Sequence, residues 1–217
     1  NQLISLFLRE YLAHAGVILC DMKTAVVERA DLLEQYFLSS AKEEEDQLKA
    51  FHHTFWRNGI LLVIPAGLQV TDAFGFHIGG SELSILDRTL VILEKGSKAA
   101  IHVHEQSQVI GGSLKICARE TKVVVEEGAE LKYQLLEEWS GASYQLSEHQ
   151  LQLKKKSKGH ALFSWLGESS GRIGVRGVLE EEGGHLEHDG ILLSGAKQQL
   201  KIVSSLHHQA AQTSGRM

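Results

Sequence analysis

Cysteine and proline are scarce in this 217-residue chain, positive charge is in deficit, and no long apolar run exists. The two cysteines, Cys20 and Cys117, stand far apart with no paired spacing. That excludes a disulfide-dense secreted scaffold and a four-cysteine zinc site, and it points to a reducing, cytoplasmic-type compartment. The single proline leaves room for long uninterrupted β-ladders, because proline removes a ladder donor. Acidic residues outnumber basic ones by 27 to 22. Neither a dedicated nucleic-acid-binding domain nor attraction to an anionic membrane is therefore expected. No stretch approaches the ~18–20 apolar residues that a bilayer-spanning helix requires. A nucleophile elbow, a phosphate-cradling glycine loop and a dinucleotide fingerprint are also missing, so the common enzyme classes leave no trace. The chain opens on Asn1 and stops at Met217 without a closing element. On that ground it reads as a piece of a longer protein.

What is present divides into two textures. Residues 1–58 read as a helical segment. Leu3, Ile4, Phe7, Leu8, Tyr11 and Leu12 recur at helical spacing, and Asp31 to Leu38 supplies a second helix with an acidic start. A third helix starts in the charge run Lys42–Asp46 and ends at Asn58-Gly59, residues that tolerate positive φ. Residues 59–217 instead show short Val/Ile/Leu runs broken by glycine. An apolar triplet, a glycine-containing turn and a second alternating strand recur at Leu62–Val70, Val91–Ile101, Val123–Tyr133, more loosely Val178–Gly183, and Ile191–Leu200. Such units bury a face only by stacking on one another, which describes a β-solenoid or a jelly roll. Lys154–Lys158 reads as a solvated strand end or loop.

Several clusters invite a chemical reading. His102 and His104, two apart on a strand, share a face and are candidate ligands for one metal ion. Gly96 precedes His102 by the spacing of the first cupin motif, which makes a cupin-like jelly-roll metal-dependent enzyme the alternative reading. Against it, Gln108 and Val109 stand where that motif has an acid. Pro65-Ala66-Gly67, the one proline-x-glycine turn, lies on the wrong side and lacks its histidine. His52-His53 and His207-His208 are adjacent pairs that point apart and read as ordinary polar positions. His185, Glu187 and Asp189 would share a face on a strand, but Gly183, Gly184 and Gly190 favour an exposed turn. Cys117 shares a strand face with Lys115, whose ammonium would favour a thiolate; the plain alternative is a buried thiol.

Phe55-Trp56-Arg57-Asn58-Gly59, Val63-Ile64-Pro65-Ala66-Gly67, Asp87-Arg88-Thr89-Leu90-Val91-Ile92, Val123 to Tyr133, Glu137-Glu138-Trp139, Leu193-Ser194-Gly195, and His208 with Thr213 follow one another in a recognisable order. Together they resemble the SufB/SufD family of iron–sulfur cluster assembly proteins over roughly residues 16–217. The resemblance implies a mainly β fold: a right-handed parallel β-helix preceded by the short helical segment. It also implies a non-catalytic scaffold. The implied partners are a SufC-type ABC ATPase and a SufB-like subunit or a second copy.

Departures from the family pattern carry a further expectation. In the SufB branch an arginine and an asparagine stand where this chain has His77 and Gly79, and a sulfur-accepting cysteine falls near Gln106. Glu137 replaces a glutamine and Glu148 a lysine, so of that inner path Trp139 alone remains. The resemblance thus implies the SufD-like branch, whose cluster-ligand histidine lies in a C-terminal extension beyond this chain. No catalytic, cofactor-binding or metal residue is transferred here. An iron–sulfur cluster is expected only in the assembled full-length complex, and none in the isolated chain.

Overall fold

A left-handed residue at one recurring corner sets the architecture. The computed structural model describes residues 8–37, 47–80, 85–107, 115–139, 143–195 and 198–217. After Ile64, Leu93, Val125 and Leu179 the backbone turns sharply with one residue at positive φ: Gly67 (73°), Gly96 (67°), Gly128 (67°) and Gly183 (76°). An L side chain there costs roughly 1–2 kcal/mol, which is why glycine recurs. Successive corners stack by backbone hydrogen bonds. The Gly67, Gly96 and Gly128 N–H groups donate to the carbonyls of Lys95, Glu127 and Lys155, each at 2.9 Å.

Each corner joins one sheet to the other. The first sheet contains β2 (Ile60–Ile64), β4 (Ile85–Leu93), β6 (Lys115–Val125), β8 (Ser143–Leu153), β10 (Ser170–Leu179) and β12 (Leu200–His208). The second contains β3 (Gln69–Gly80), β5 (Lys98–Ser107), β7 (Glu130–Trp139), β9 (Lys158–Gly167), β11 (His185–Ser194) and β13 (Ser214–Arg216). All these neighbours pair in parallel. The result is a parallel β-solenoid of about 5 turns, with 61% of the described residues in strands. Parallel ladders rule out the antiparallel jelly roll, and with it the cupin-like alternative.

The run of repeats differs from the sequence reading in two places: the loop at 154–158 belongs to it and 191–200 does not. Lys154–Lys158 is the corner of a full rung, with Lys156 at φ 53° and its N–H donating to Glu182 O at 3.0 Å. A lysine at the glycine position hid it. Conversely, Ile191–Leu200 is not a corner of this kind. It lies at the opposite edge, and the next corner holds Gln212 at φ 56°.

The N-terminal region adds α1 (Glu10–His14), β1 (Ile18–Asp21), α2 (Met22–Glu28), α3 (Ala30–Phe37) and α4 (Gln47–Phe55). Leu3 to Phe7 and Lys42 to Asp46 lie outside the described residues. The sequence reading lacked β1, which pairs antiparallel with β2, and α2, whose cap Asp21 Oδ1 accepts from Thr24 N–H at 2.9 Å. Met22, Ala25, Leu33 and Phe37 pack on Leu61, Val63, Leu90, Ile92 and Val124, the outer face of the first sheet. The alternate residues Leu62, Ile64, Val91, Leu93, Val123 and Val125 fill the inside. Both faces of β2 are therefore covered, and all five of its residues are buried. Gly59 makes the entry possible. Its φ is 141°, and a Cβ there would sit 1.7 Å from Arg88 O.

Candidate functional site

Strand parity carries charged residues into the solenoid. On β6, Arg119 and Cys117 share the inward face with Val123 and Val125, and on β7 Glu137 shares it with Leu131, Tyr133 and Leu135. The glycine corner of the interior is uncharged, its buried polar groups being the hydroxyls of Ser97 and Ser157, whereas the opposite edge holds Asp87, Glu105, Arg119, Glu137, Gln145, Ser147 and His149, all buried. Arg119 Nη1 meets Glu105 Oε2 at 2.5 Å, its Nη2 lies 3.8 Å from Asp87 Oδ2, and its guanidinium lies 4.8 Å from the Trp139 ring. On the next rungs, Gln145 Nε2 donates to Glu137 Oε2 and to Ser147 Oγ, and His149 Nε2 lies 3.3 Å from Glu137 Oε1.

Burial governs the chemistry of this edge. Burial pushes the Asp87 carboxyl up against the pull of Arg119, and pushes the Glu105 carboxyl up likewise. Cys117, packed with Ile85 and Trp139, has its thiol pushed up to about 11 by burial, which outweighs Arg119. It is a buried thiol, not a reactive thiolate. Cys20 on β1 is half-buried and its thiol is likewise raised, by burial first and then by Asp21.

The positions that the resemblance puts on an inner path divide. Glu137 and Trp139 face the interior. His77 is exposed and Gln106 and Glu148 are half-buried, all three alternating with the inward-facing positions. Glu148 instead meets Lys49 of α4 at 3.2 Å. One residue of register separates each from an inward neighbour, Glu105 in one case and Ser147 or His149 in another.

His102 and His104 share the outer face of the second sheet beside a groove also lined by Gly75, His77 and Leu162. His104 Nε2 meets Glu138 Oε2 at 2.6 Å and its ring lies edge-on to His77, centroids 4.9 Å apart. No third ligand converges on the pair among the described residues. His185 to Asp189 lies on β11, not in a turn. Arg216 Nη2 stands 3.5 Å from Glu187 and 3.3 Å from Asp189, supplying the positive charge that an ion would bring.

His52 and His53, which the sequence presents as ordinary polar positions pointing apart, both reach Glu120 and form the one potential three-ligand cluster among the described residues. His52 is buried and its Nε2 lies 2.9 Å from Asp87 O, while His53 Nε2 lies 3.0 Å from Glu120 Oε2. Arg88 Nε approaches the same oxygen at 2.6 Å, with its guanidinium 4.1 Å from the Phe37 ring centroid. A fixed cation on the only carboxylate opposes a divalent ion, so the cluster fastens α3 and α4 to the solenoid. Burial raises the Glu120 carboxyl, but His53 and Arg88 outweigh it and hold the group down at about 2. Burial pushes His52 down to about 4. Lys122 Nζ donates to Tyr36 O at 2.6 Å and Tyr36 Oη to Glu126 at 3.1 Å, extending the anchor along α3.

Taken together, the fold and site define a two-sheet parallel β-solenoid with a helical cover and a buried polar edge. Its sequence matches the profile of the SUF system FeS cluster assembly SufBD core domain over residues 76–217, and that of the SufBD protein N-terminal region over residues 6–74. The chain belongs to the SufB/SufD family of iron–sulfur cluster assembly proteins. It is similar to an iron–sulfur cluster assembly SufBD family protein of Staphylococcus aureus strain USA300, 22% identical over 138 residues, which are 62% of this chain and 29% of that protein. A Staphylococcus saprophyticus protein of the same description is 20% identical over 133 residues, 60% of this chain and 28% of the relative. The chain thus spans less than a third of the length of these curated relatives. No helix among the described residues is long and apolar enough to cross a membrane.

Proposed function

We propose that this chain is a SufD-like scaffold in iron–sulfur cluster assembly, without catalytic turnover of its own. It holds a SufB-like subunit, or a second copy, and a SufC-type ABC ATPase in the cytoplasm, and the nascent cluster is cargo of the assembled full-length complex. The state of the two cysteines carries the reading. Sulfur acceptance needs an accessible thiolate. Cys117 is buried with its thiol raised to about 11, and Cys20 is raised as well. The resemblance puts the cysteine of the sulfur-accepting branch near Gln106, and no cysteine stands there in this chain. The test is co-expression of the full-length protein with its SufB-like and SufC-type counterparts, followed by affinity capture and size-exclusion chromatography. One complex containing all three is expected; elution of the protein apart from both would reject the reading.

A further inference from the structure

Among the described residues, the charges inside the solenoid do not balance. Asp87 on β4, Glu105 on β5 and Glu137 on β7 bring three carboxyl groups to one edge, against a single guanidinium, Arg119 of β6. The remaining titratable neighbours are His149 on β8, Tyr133 on β7 and Cys117 on β6. From β3, β9 and β10 the described residues send into the interior only apolar side chains, such as Phe76, Phe163 and Val175. Glu105 and Glu137 are register partners on adjacent strands, and both are almost wholly buried, at 2% and 1% exposure. Ladder spacing brings their Cα atoms to about 5 Å. Two ionised carboxylates so placed repel strongly in a medium that screens poorly.

Arg119 is committed to the Glu105 side, where it reaches Glu105 at 2.5 Å and Asp87 at 3.8 Å. Glu137 accepts from Gln145 and faces His149 Nε2. A second proton on His149 would sit at Nδ1, which is buried and finds no partner among the described residues. The carboxyl pair is thus the better place for the compensating proton.

We propose that Glu105 and Glu137 share one proton inside the solenoid at neutral pH, a pH-sensitive device that keeps the polar edge closed and loosens when alkali removes the proton. The sign follows from linkage: a folded state that holds a proton the unfolded chain has released loses stability as pH rises.

Infrared spectroscopy of the whole chain, with protonated carboxyl groups identified by their carbonyl band in pH-difference spectra, tests this directly. A protonated-carboxyl band at neutral pH that vanishes on alkaline titration, together with a falling urea midpoint, is expected. Glu137→Gln should abolish the neutral-pH band and remove the alkaline fall of the midpoint, since Glu105 is then free to ionise beside Arg119. Absence of the band from the wild-type chain at neutral pH overturns the proposal, whether or not the variant folds. So does its persistence in Glu137→Gln, because the proton would then reside elsewhere.

Discussion

Acidification should undock the helical cover before it disturbs the solenoid interior, and His52 sets the window. The imidazole is 3% exposed beneath α4, and burial lowers it from the ordinary value near 6.5 to about 4. Between those values the unfolded chain takes up a proton that the folded chain refuses, so stability falls as pH falls. The slope is about 1.4 kcal/mol per pH unit, giving a loss of ~2 kcal/mol at about pH 5 and ~3 kcal/mol near pH 4. His52→Gln keeps a donor for Asp87 O but cannot titrate. Urea unfolding of both proteins at about pH 7, 6 and 5, followed by tryptophan fluorescence, isolates the residue in the wild-type-minus-variant difference. Identical pH slopes for the two proteins would refute the reasoning. So would a His52 resonance that titrates near 6.5 in the folded chain.

Other perturbations follow from the corners and the interior. Lys156→Gly relieves a left-handed side chain and should raise the unfolding free energy by up to ~1 kcal/mol in urea denaturation, the gain being trimmed by the freer unfolded chain. Gly59→Ala places a Cβ 1.7 Å from Arg88 O and should cost on the order of 3 kcal/mol or more, read as a lowered thermal midpoint. Arg119→Met leaves Glu105 and Asp87 without their guanidinium and should cost about 3–5 kcal/mol by chemical denaturation, whereas breaking the exposed pair Lys95–Glu127 should leave the urea midpoint almost unchanged.

The solenoid was legible because its corners need glycine, and glycine at a fixed place after an apolar triplet is a local signal. The rung at Lys156 escaped because a lysine took the left-handed position at some strain, and Ile191–Leu200 misled because an apolar triplet before glycine also arises at the other edge. The interior edge was recorded in parity that went unread. Glu137 lies two residues from Leu135, and Arg119 four from Val123, so counting by twos puts both inside. What counting cannot supply is how adjacent rungs meet. The Glu105–Glu137 and Asp87–Arg119 neighbours depend on loop lengths between strands, which set the register. His52 and His53 were discounted because adjacent residues point apart; on α4 both still reach the sheet because the helix lies across it, one toward Asp87 and the other toward Glu120.

The most direct measurement of the scaffold reading is sulfur acceptance. After incubation with a cysteine desulfurase system and cysteine, the chain is digested and its cysteines are examined by mass spectrometry for an added sulfur atom. The account predicts that Cys20 and Cys117 remain unmodified while a SufB-like subunit in the same reaction is loaded. Persulfide on Cys117 at a level comparable to that subunit would contradict it.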